Sequence, residues 1–304
     1  MKTVGEIGEF GLIKKLCASL PLAGDDCAVL TGIHPKKLLL ITCDPVVEGV
    51  HFAPGTPPRR IGWKAMARNL SDIAAMGGLP RWAVVSVGLR PNTRVQTVEQ
   101  IYAGLRAAAR KFGCEIVGGD TSHVDHEQFV VVTLVGEVEK LRVALRSGAQ
   151  VGDSVFVTGT LGGSLRGKHL TFTPRITEAR WLVEDFPIHA MIDVSDGLSS
   201  DLQRLAEAAG KRLGFDIFAS EIPIAHAARG SLGAALNDGE DFELLFTVDP
   251  RFVTALRQKW AQKFKLPLTE IGRVVKSRGQ IHVIDRDGHR TLLVPGGYDH
   301  FAVG

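Results

Sequence analysis

Three apolar runs in this chain each close on an aspartate, and that pattern limits the folds open to it. "KKLLLITCD" (36–44) ends on Asp44, "CEIVGGD" (114–120) on Asp120, and "HAMIDVSD" (189–196) carries Asp193 and Asp196. Short apolar runs bounded by turn residues read as buried strands. "RWAVVSVGL" (81–89) and "QFVVVTLVGEVE" (128–139) read the same way. Helical patterns lie between them. "RRIGWKAMARNLSDIAAMGG" (59–78) repeats its apolar residues near helical spacing and stops at Gly77-Gly78. In "TVEQIYAGLRAAARKFG" (97–113), Val98, Ile101, Tyr102, Leu105, Ala109 and Phe112 share one face, and Gly113 closes the helix.

The chain then restarts. "RSGAQVGDSVFVTGT" (146–160) leads into a new strand, and "PRITEARWLVEDF" (174–186) is a helix with Pro174 near its start. Residues 189–210 read as strand, turn and helix, and "EDFELLFTVD" (240–249) as a strand. A helix over 250–264 and two or three strands finish the sequence. Strands and helices mix in both halves, so the class is α/β (α+β). A length of 304 residues suits about two domains, with the boundary expected near 139–150: residues 1–139 and 140–304.

Bulk properties remove several classes of function. Net charge is only +3 and no block of like charge stands out, which argues against nucleic acid as a partner. No run of about 18 apolar residues and no signal peptide is visible, so neither a membrane nor an export route is expected. Cys17, Cys27, Cys43 and Cys114 are far apart, which fits reduced thiols in a cytoplasmic protein. Cys17 lies on an apolar helix-like segment and reads as a buried thiol.

The chemical signal is a set of acids in glycine- or hydroxyl-rich turns: Asp25, Asp26, Asp44, Asp72, Asp120, Asp193, Asp196, Glu240 and Asp241. Taken singly, an aspartate in such a place is a helix cap or turn residue, and Asp196 has the position of a cap for the helix after it. Taken together at strand ends, they point to a shared cleft, since ligands of α/β sheets gather beyond strand C-termini. Converging carboxylates repel unless a cation lies among them, and hard oxygen donors suit Mg²⁺ bridging to phosphates. Asp72 is the sharpest case, because it interrupts an apolar helix where an unpaired carboxylate is costly.

"GTLGGSLRGKH" (159–169) offers a rival reading. It is a phosphate loop with one letter wrong, His169 standing where Ser or Thr would reach the metal. The expectation is a structural turn, with Lys168 as a solvated charge. "HVDHEQF" (123–129) is expected to be a polar turn between strands.

The motifs "GDDCAVL", "TCDPVVEGVHF", "IGWKAMARNLSDIAAMGGLPRWAVVSVGL", "IVGGDTS", "MIDVSDGLSSDL", "GEDFELLF" and "GYDHF" run in an order that resembles the thiamine-monophosphate kinase family. That family belongs to the aminoimidazole-ribonucleotide synthetase superfamily. The resemblance implies two α/β domains, the N-terminal one binding ATP and Mg²⁺ and pairing in a homodimer through a shared barrel, the C-terminal one completing the active site. It implies direct, Mg²⁺-assisted transfer of a phosphoryl group from ATP to thiamine monophosphate, with no covalent nucleophile. By position, Asp26, Asp44, Asp72, Asp120, Asp193 and Asp196 resemble the family's metal carboxylates, with Thr42 and Cys43 beside them. Tyr102, Gly119, Asp120, Arg146 and Ser195 resemble nucleotide contacts, and His51, Glu240 and Tyr298 the substrate side. Cys43 departs from the family's usual hydroxyl residue, and Asp238 adds a charge to the "NDGED" turn. The alternatives are another synthetase of the superfamily, such as a selenophosphate synthetase with its reactive cysteine, or a nucleotide-binding paralogue without turnover.

Overall fold

The computed structural model describes residues 3–17 and 24–301. The Cys17 thiol lies outside the described side chains. In chain order the elements are α1 (Val4–Cys17), β1 (Ala28–Leu30), β2 (Lys37–Val47), α2 (Pro58–Ala75), β3 (Leu79–Leu89), α3 (Val95–Phe112), β4 (Glu115–His123), β5 (Phe129–Glu139), β6 (Ser154–Thr158), α4 (Ile176–Asp185), β7 (Ile188–Asp193), α5 (Leu198–Ala208), β8 (Leu213–Phe218), α6 (Leu232–Asn237), β9 (Leu244–Val248), α7 (Val253–Lys263), β10 (Leu268–Lys276), β11 (Ile281–Ile284) and β12 (Arg290–Leu292). They form two compact units: one of Val29–Val143 with Gly167–Asp185, the other of Met1–Ala28, Ala144–Arg166 and Phe186–Gly304.

The first unit is built on a five-stranded sheet in the order β1-β2-β5-β3-β4. β5 alternates strictly between buried and half-buried residues, the period-2 signature of a sheet with one packed face. On the packed face Leu38, Leu40, Val85, Val130, Val132 and Leu134 are buried, and α2 lies against β2 and β5. α3 packs on α2. Glycine is required where they touch: a Cβ on Gly62 would collide with the Ile101 carbonyl, and one on Gly104 with the Arg59 carbonyl. β3 and β4 pair in parallel, so α3 serves as the crossover such a pair needs. The opposite face keeps Trp82, Val84 and Val117 exposed.

The second unit carries a seven-stranded sheet in the order β12-β11-β8-β10-β6-β9-β7. β6 and β9 are buried at every residue, as expected of central strands covered on both sides. Leu198, Leu202 and Leu205 of α5 pack with Val155, Val157, Ile192, Phe215 and Leu245 in one core. On the other side Phe156 stacks on its cross-strand partner Phe246 at 5.6 Å.

The mixed α/β class expected from sequence is the class observed. Strand ends differ. Asp44 and Asp120 do not follow their strands but lie within β2 and β4, because backbone pairing continues beyond the apolar run, to Val47 opposite Phe129 and to His123 opposite Leu89. β9 begins at Leu244, and residues 240–243 lie outside the strand.

α4 is held by Arg180, whose side chain is 10% exposed. Arg180 Nη1 donates to the Gly77 carbonyl at 2.7 Å and to Glu139 at 2.9 Å, while Nη2 donates to Glu184 at 2.6 Å. The hydrogen bond from Arg180 holds the Glu139 carboxyl below its ordinary range. Arg180→Met is expected to lower unfolding stability by about 2 kcal/mol in a urea titration at pH 7, a buried-pair loss reduced because both carboxylates are partly exposed. A depressed carboxyl stabilises the fold above its unfolded pKa, about 4.5, and that contribution disappears as pH falls through the lower folded value. The gap between wild type and variant should therefore narrow below that pH.

Candidate active site

In the first unit the site begins with a polar stripe on an otherwise apolar helix. Lys64, Arg68, Asn69 and Asp72 are spaced so that α2 carries them along one side, and each meets β2 or the turn after it. Asp72 accepts a short hydrogen bond from the Thr42 hydroxyl. Asn69 Oδ1 accepts the Asp44 N–H at 3.0 Å, and its amide donates to the Ala65 carbonyl at 3.0 Å. Arg68 Nε donates to the Asp44 carboxylate at 3.2 Å. Lys64 Nζ donates to the His51 carbonyl at 2.7 Å. Asp72 is therefore partnered, which answers the cost of a carboxylate in that helix.

Thr42, Asp44 and Asp72 come together here. Cys43 does not join them. Side chains alternate along a strand, so its thiol lies exposed on the other sheet face, where it accepts the Thr133 hydroxyl at 3.2 Å. His51 is buried in the turn after β2, its Nδ1 accepting the Val47 N–H at 3.1 Å.

A second feature of this unit is an open groove along β4 lined by Tyr102, Gly118, Gly119 and Asp120. Three residues expected at the nucleotide meet in it. Tyr102, which by pattern alone belonged with the helix core, is half-buried at the groove instead. Gly119 runs so close to β3 that a Cβ there would strike the Val85 carbonyl.

In the second unit, acids gather around two arginines. Arg146 grips Asp26 with both arms, Nε to Oδ2 at 3.1 Å and Nη2 to Oδ1 at 2.9 Å. Its backbone N–H donates to Asp25 at 2.7 Å. Burial raises the Asp25 carboxyl, with the neighbouring Asp26 charge adding to the rise. Arg146, expected on a phosphate, thus spends its fork on a carboxylate here. Asp193 is the last residue of β7 and is buried. The turn after it runs Val194-Ser195-Asp196-Gly197. Asp196 does not cap α5, because Gly197 holds the cap position; its carboxylate instead makes a short ion pair with Arg204.

Asp201, in the first turn of α5, went unnoticed in the sequence. It is fully buried, accepts the Ser195 N–H at 3.1 Å, and leaves Oδ1 without a hydrogen-bond donor, 3.9 Å from Arg204. Burial pushes its carboxyl well up, and the charges of Asp196 and Asp193 push the same way. The one signal for it was its place three residues inside a helix entered from a glycine.

Of the three residues expected on the substrate side, Glu240 and Tyr298 meet this turn, and His51 belongs to the first unit. Glu240 donates its N–H to the Ser195 carbonyl at 2.7 Å and Phe242 to the Val194 carbonyl at 2.8 Å. Both have positive φ, 56° and 51°, a costly conformation for residues with a side chain that clusters at functional sites. Tyr298 donates its N–H to the Asp196 carbonyl at 3.0 Å, and its exposed ring meets His300 edge-on at 4.8 Å.

The phosphate-loop lookalike is accounted for by hydrogen bonds. The Gly162 N–H donates to both Asp241 oxygens at 3.0 and 2.9 Å, Ser164 donates its hydroxyl to Asp241, and the Gly163 N–H donates to Asp238 at 2.8 Å. A phosphate loop presents those amides to a ligand at a helix N-terminus; here the chain's own acids occupy them, and only short 3-10 turns follow at Ser164–Arg166 and Lys168–Leu170. Asp238 is therefore a backbone partner and not a stray charge. Lys168 is half-buried, so the expectation of a solvated lysine does not hold. His123, the last residue of β4, pairs with Asp125 at 3.2 Å, and both side chains are exposed.

The oxygen chemistry fits magnesium. In the first unit Thr42, Asp44 and Asp72 supply only hard oxygen donors. In the second, Asp25, Asp26, Asp193, Asp196 and Asp201 gather around Arg146 and Arg204, again offering only oxygen donors, and one Asp201 oxygen has no hydrogen-bond donor. Clustered carboxylates of this kind suit a divalent cation.

Known proteins resemble the chain over most of its length. The family "AIR synthase related protein, N-terminal domain" matches residues 24–138, and its C-terminal counterpart matches residues 147–285. The thiamine-monophosphate kinase of Aquifex aeolicus (strain VF5) is 35% identical, with 99% of each chain covered. That of Bacillus subtilis (strain 168) is 35% identical over 91% of this chain and 92% of its own. The solved structure of AaThiL complexed with AMPPCP and TMP has a TM-score of 0.85 at 35% identity, covering 99% of both chains.

Two substitutions test how the glycine turn is read. Asp241→Ala strips the acceptor from two N–H or O–H groups and is expected to cost about 3 kcal/mol of unfolding stability. Lys168→Ala should leave the KM for ATP within about twofold of wild type. A collapse in nucleotide affinity on removing Lys168 would restore the phosphate-loop reading.

Proposed function

The chain belongs to the thiamine-monophosphate kinase family, and we propose that it transfers the γ-phosphoryl group of ATP directly to the phosphate of thiamine monophosphate, releasing ADP and thiamine diphosphate. The observation that carries this reading is the oxygen-rich pairing of Thr42, Asp44 and Asp72 on the packed face of the first unit, within a chain similar to its relatives over almost its full length. Phosphoryl transfer needs positioning and charge neutralisation more than a covalent nucleophile, and the acceptor phosphate is already anionic. A chain whose conspicuous polar residues are acids, arginines and glycine amides suits that chemistry.

Asp26, Thr42, Asp44, Asp72, Asp120, Asp193 and Asp196 are the proposed magnesium donors, with Cys43 restricted to its backbone. Magnesium, when bound, offsets the negative charge of the phosphates. The chain's own residues bind and orient. Tyr102, Gly119 and Asp120 line a groove open to a nucleotide, and Ser195 sits on a turn whose amide is fixed by Asp201. Arg146 offers a planar fork suited to phosphate once it exchanges partners. Tyr298 offers an exposed ring to the cationic thiazolium or the pyrimidine. Glu240 and His51 complete the substrate side.

The same reading includes a homodimer formed through the five-stranded sheet. Trp82, Val84 and Val117 stand exposed on its open face, and a contiguous apolar patch of this kind marks an interface. A cytoplasmic setting belongs to it too, supported by the free thiols of Cys43 and Cys114. Among the described residues no helix is long and apolar enough to cross a membrane.

A substrate panel tests the function: thiamine monophosphate, thiamine and formylglycinamidine ribonucleotide, each with ATP and with or without Mg²⁺. ADP and thiamine diphosphate should form only with thiamine monophosphate and metal. Tight ATP binding with no ADP released would favour a non-catalytic module. Asp72→Asn should lower kcat by about 100-fold or more with an unchanged circular dichroism spectrum; a wild-type rate would remove Asp72 from the metal set. Val84→Asp should convert the dimer to a monomer in light scattering, since it puts a charge on the open sheet face; an unchanged mass would move the interface elsewhere.

A further inference from the structure

Lys64 has no role in the reading so far, yet it is fully buried in α2. Lysines are almost never buried to that degree without a specific partner, because an ammonium taken out of water is costly. A methionine would fill similar space at less cost. What the lysine adds is a directed donor: its Nζ reaches the His51 backbone carbonyl at 2.7 Å, thirteen residues back in the chain.

The turn that receives it is tightly specified. The His51 N–H donates to the Val47 carbonyl at 2.8 Å, and the Gly49 N–H donates to the Phe52 carbonyl at 2.8 Å. Gly49 has φ of 80°, a value that favours glycine. Nδ1 of His51 accepts the Val47 N–H at 3.1 Å, which in the neutral ring leaves the proton on Nε2. Ring orientation and tautomer thus follow from where this backbone sits. Lys64 fixes that backbone from the helix, one turn before Arg68 and Asn69 fix Asp44.

We infer that Lys64 is a positioning residue for thiamine monophosphate, acting through its hydrogen bond to the His51 carbonyl to hold the His51 ring where the substrate meets it. The inference rests on His51 being a substrate-side residue. It concerns one substrate and not the other, which separates it from a purely structural role.

The test measures KM for thiamine monophosphate and for ATP in Lys64→Met, Lys64→Gln, His51→Ala and Leu70→Ala. Leu70 is fully buried on the same helix and takes no part in the polar stripe, so its variant reports general loosening. Lys64→Met is expected to raise the KM for thiamine monophosphate about tenfold, with the KM for ATP within about twofold. Lys64→Gln, a shorter neutral donor, should give the same split at smaller size, and it carries the test if the methionine variant does not fold. Leu70→Ala should lower the melting temperature without a split. If His51→Ala gives the split and neither Lys64 variant does, the positioning role is wrong. If His51→Ala gives none, the substrate-side reading fails with it. Equal rises in both KM values for the Lys64 variants, as in Leu70→Ala, would reduce Lys64 to packing.

Discussion

The hydrogen bond from the Thr42 hydroxyl to the Asp72 carboxylate sets how α2 lies on its sheet. Both groups sit at an interface otherwise made of Leu40, Ile73, Leu70 and Leu134. An apolar interface tolerates several registers, because contact between hydrocarbons is non-directional. A polar group buried in it tolerates few, since any shift that breaks its bond leaves a desolvated donor or acceptor. The Asn69 bond to the Asp44 N–H adds a second such constraint one turn away. Two directional contacts on one helix face fix both its rotation and its translation. The accuracy with which Thr42 meets Asp72 and Asn69 meets Asp44 thus comes from directional polar contacts, and the hydrophobic packing supplies the cohesion beneath.

In the second unit, aspartates in similar sequence settings serve opposite ends. Asp241 and Asp238 follow and precede a glycine in "NDGED", and both are consumed by the amides of Gly162 and Gly163. Their charge is spent on the backbone. Asp193, Asp196 and Asp201 also lie around a glycine, in "DVSDGLSSD", but two arginines are their cationic neighbours and one Asp201 oxygen has no donor. The first group stabilises a turn. The second leaves a buried acceptor unsatisfied. The difference lies in where the neighbouring N–H groups point, which depends on strands distant in sequence.

That dependence explains what could be read from the sequence. Helices α2 and α3 and strands β3 and β5 were legible because burial repeats along them with a period of 3.6 or 2. β1, β8 and α6 were not singled out: β1 and α6 are too short for a period to build up, and β8, no longer than the legible β7, has Gly214 and Asp216 breaking its apolar run. The placement of Asp44 and Asp120 at strand ends mistook the end of an apolar run for the end of pairing, and edge or half-exposed strands continue through polar residues. Cys43 stood with Thr42 and Asp44 through the family motif, although alternation sends its side chain to the opposite face. Asp72 was legible because a carboxylate contradicts its helix; Lys64 contradicts the same helix as strongly, eight residues earlier, and drew no notice because basic residues are expected to reach solvent. Asp201 was hidden for a related reason, as an acid in a first helical turn has an ordinary explanation.

The buried acids also explain why this arrangement is worth keeping. Burial raises Asp25 and Asp201 above ordinary carboxyls, because it penalises their charged forms. Raised carboxyl pKa values mean that the contribution to stability is greatest in acid and lost as pH rises through the folded values. A chain selected for stability alone would replace Asp201 by asparagine or leucine, either of which fits a buried helix position at lower electrostatic cost. Asp201 instead gives one oxygen to the Ser195 N–H, which fixes the turn after β7, and its other oxygen has no hydrogen-bond donor. Strain at Glu240 and Phe242 lies against the same turn. A buried carboxyl with an unsatisfied oxygen and two residues at positive φ therefore meet at one turn, where the fold gives up stability.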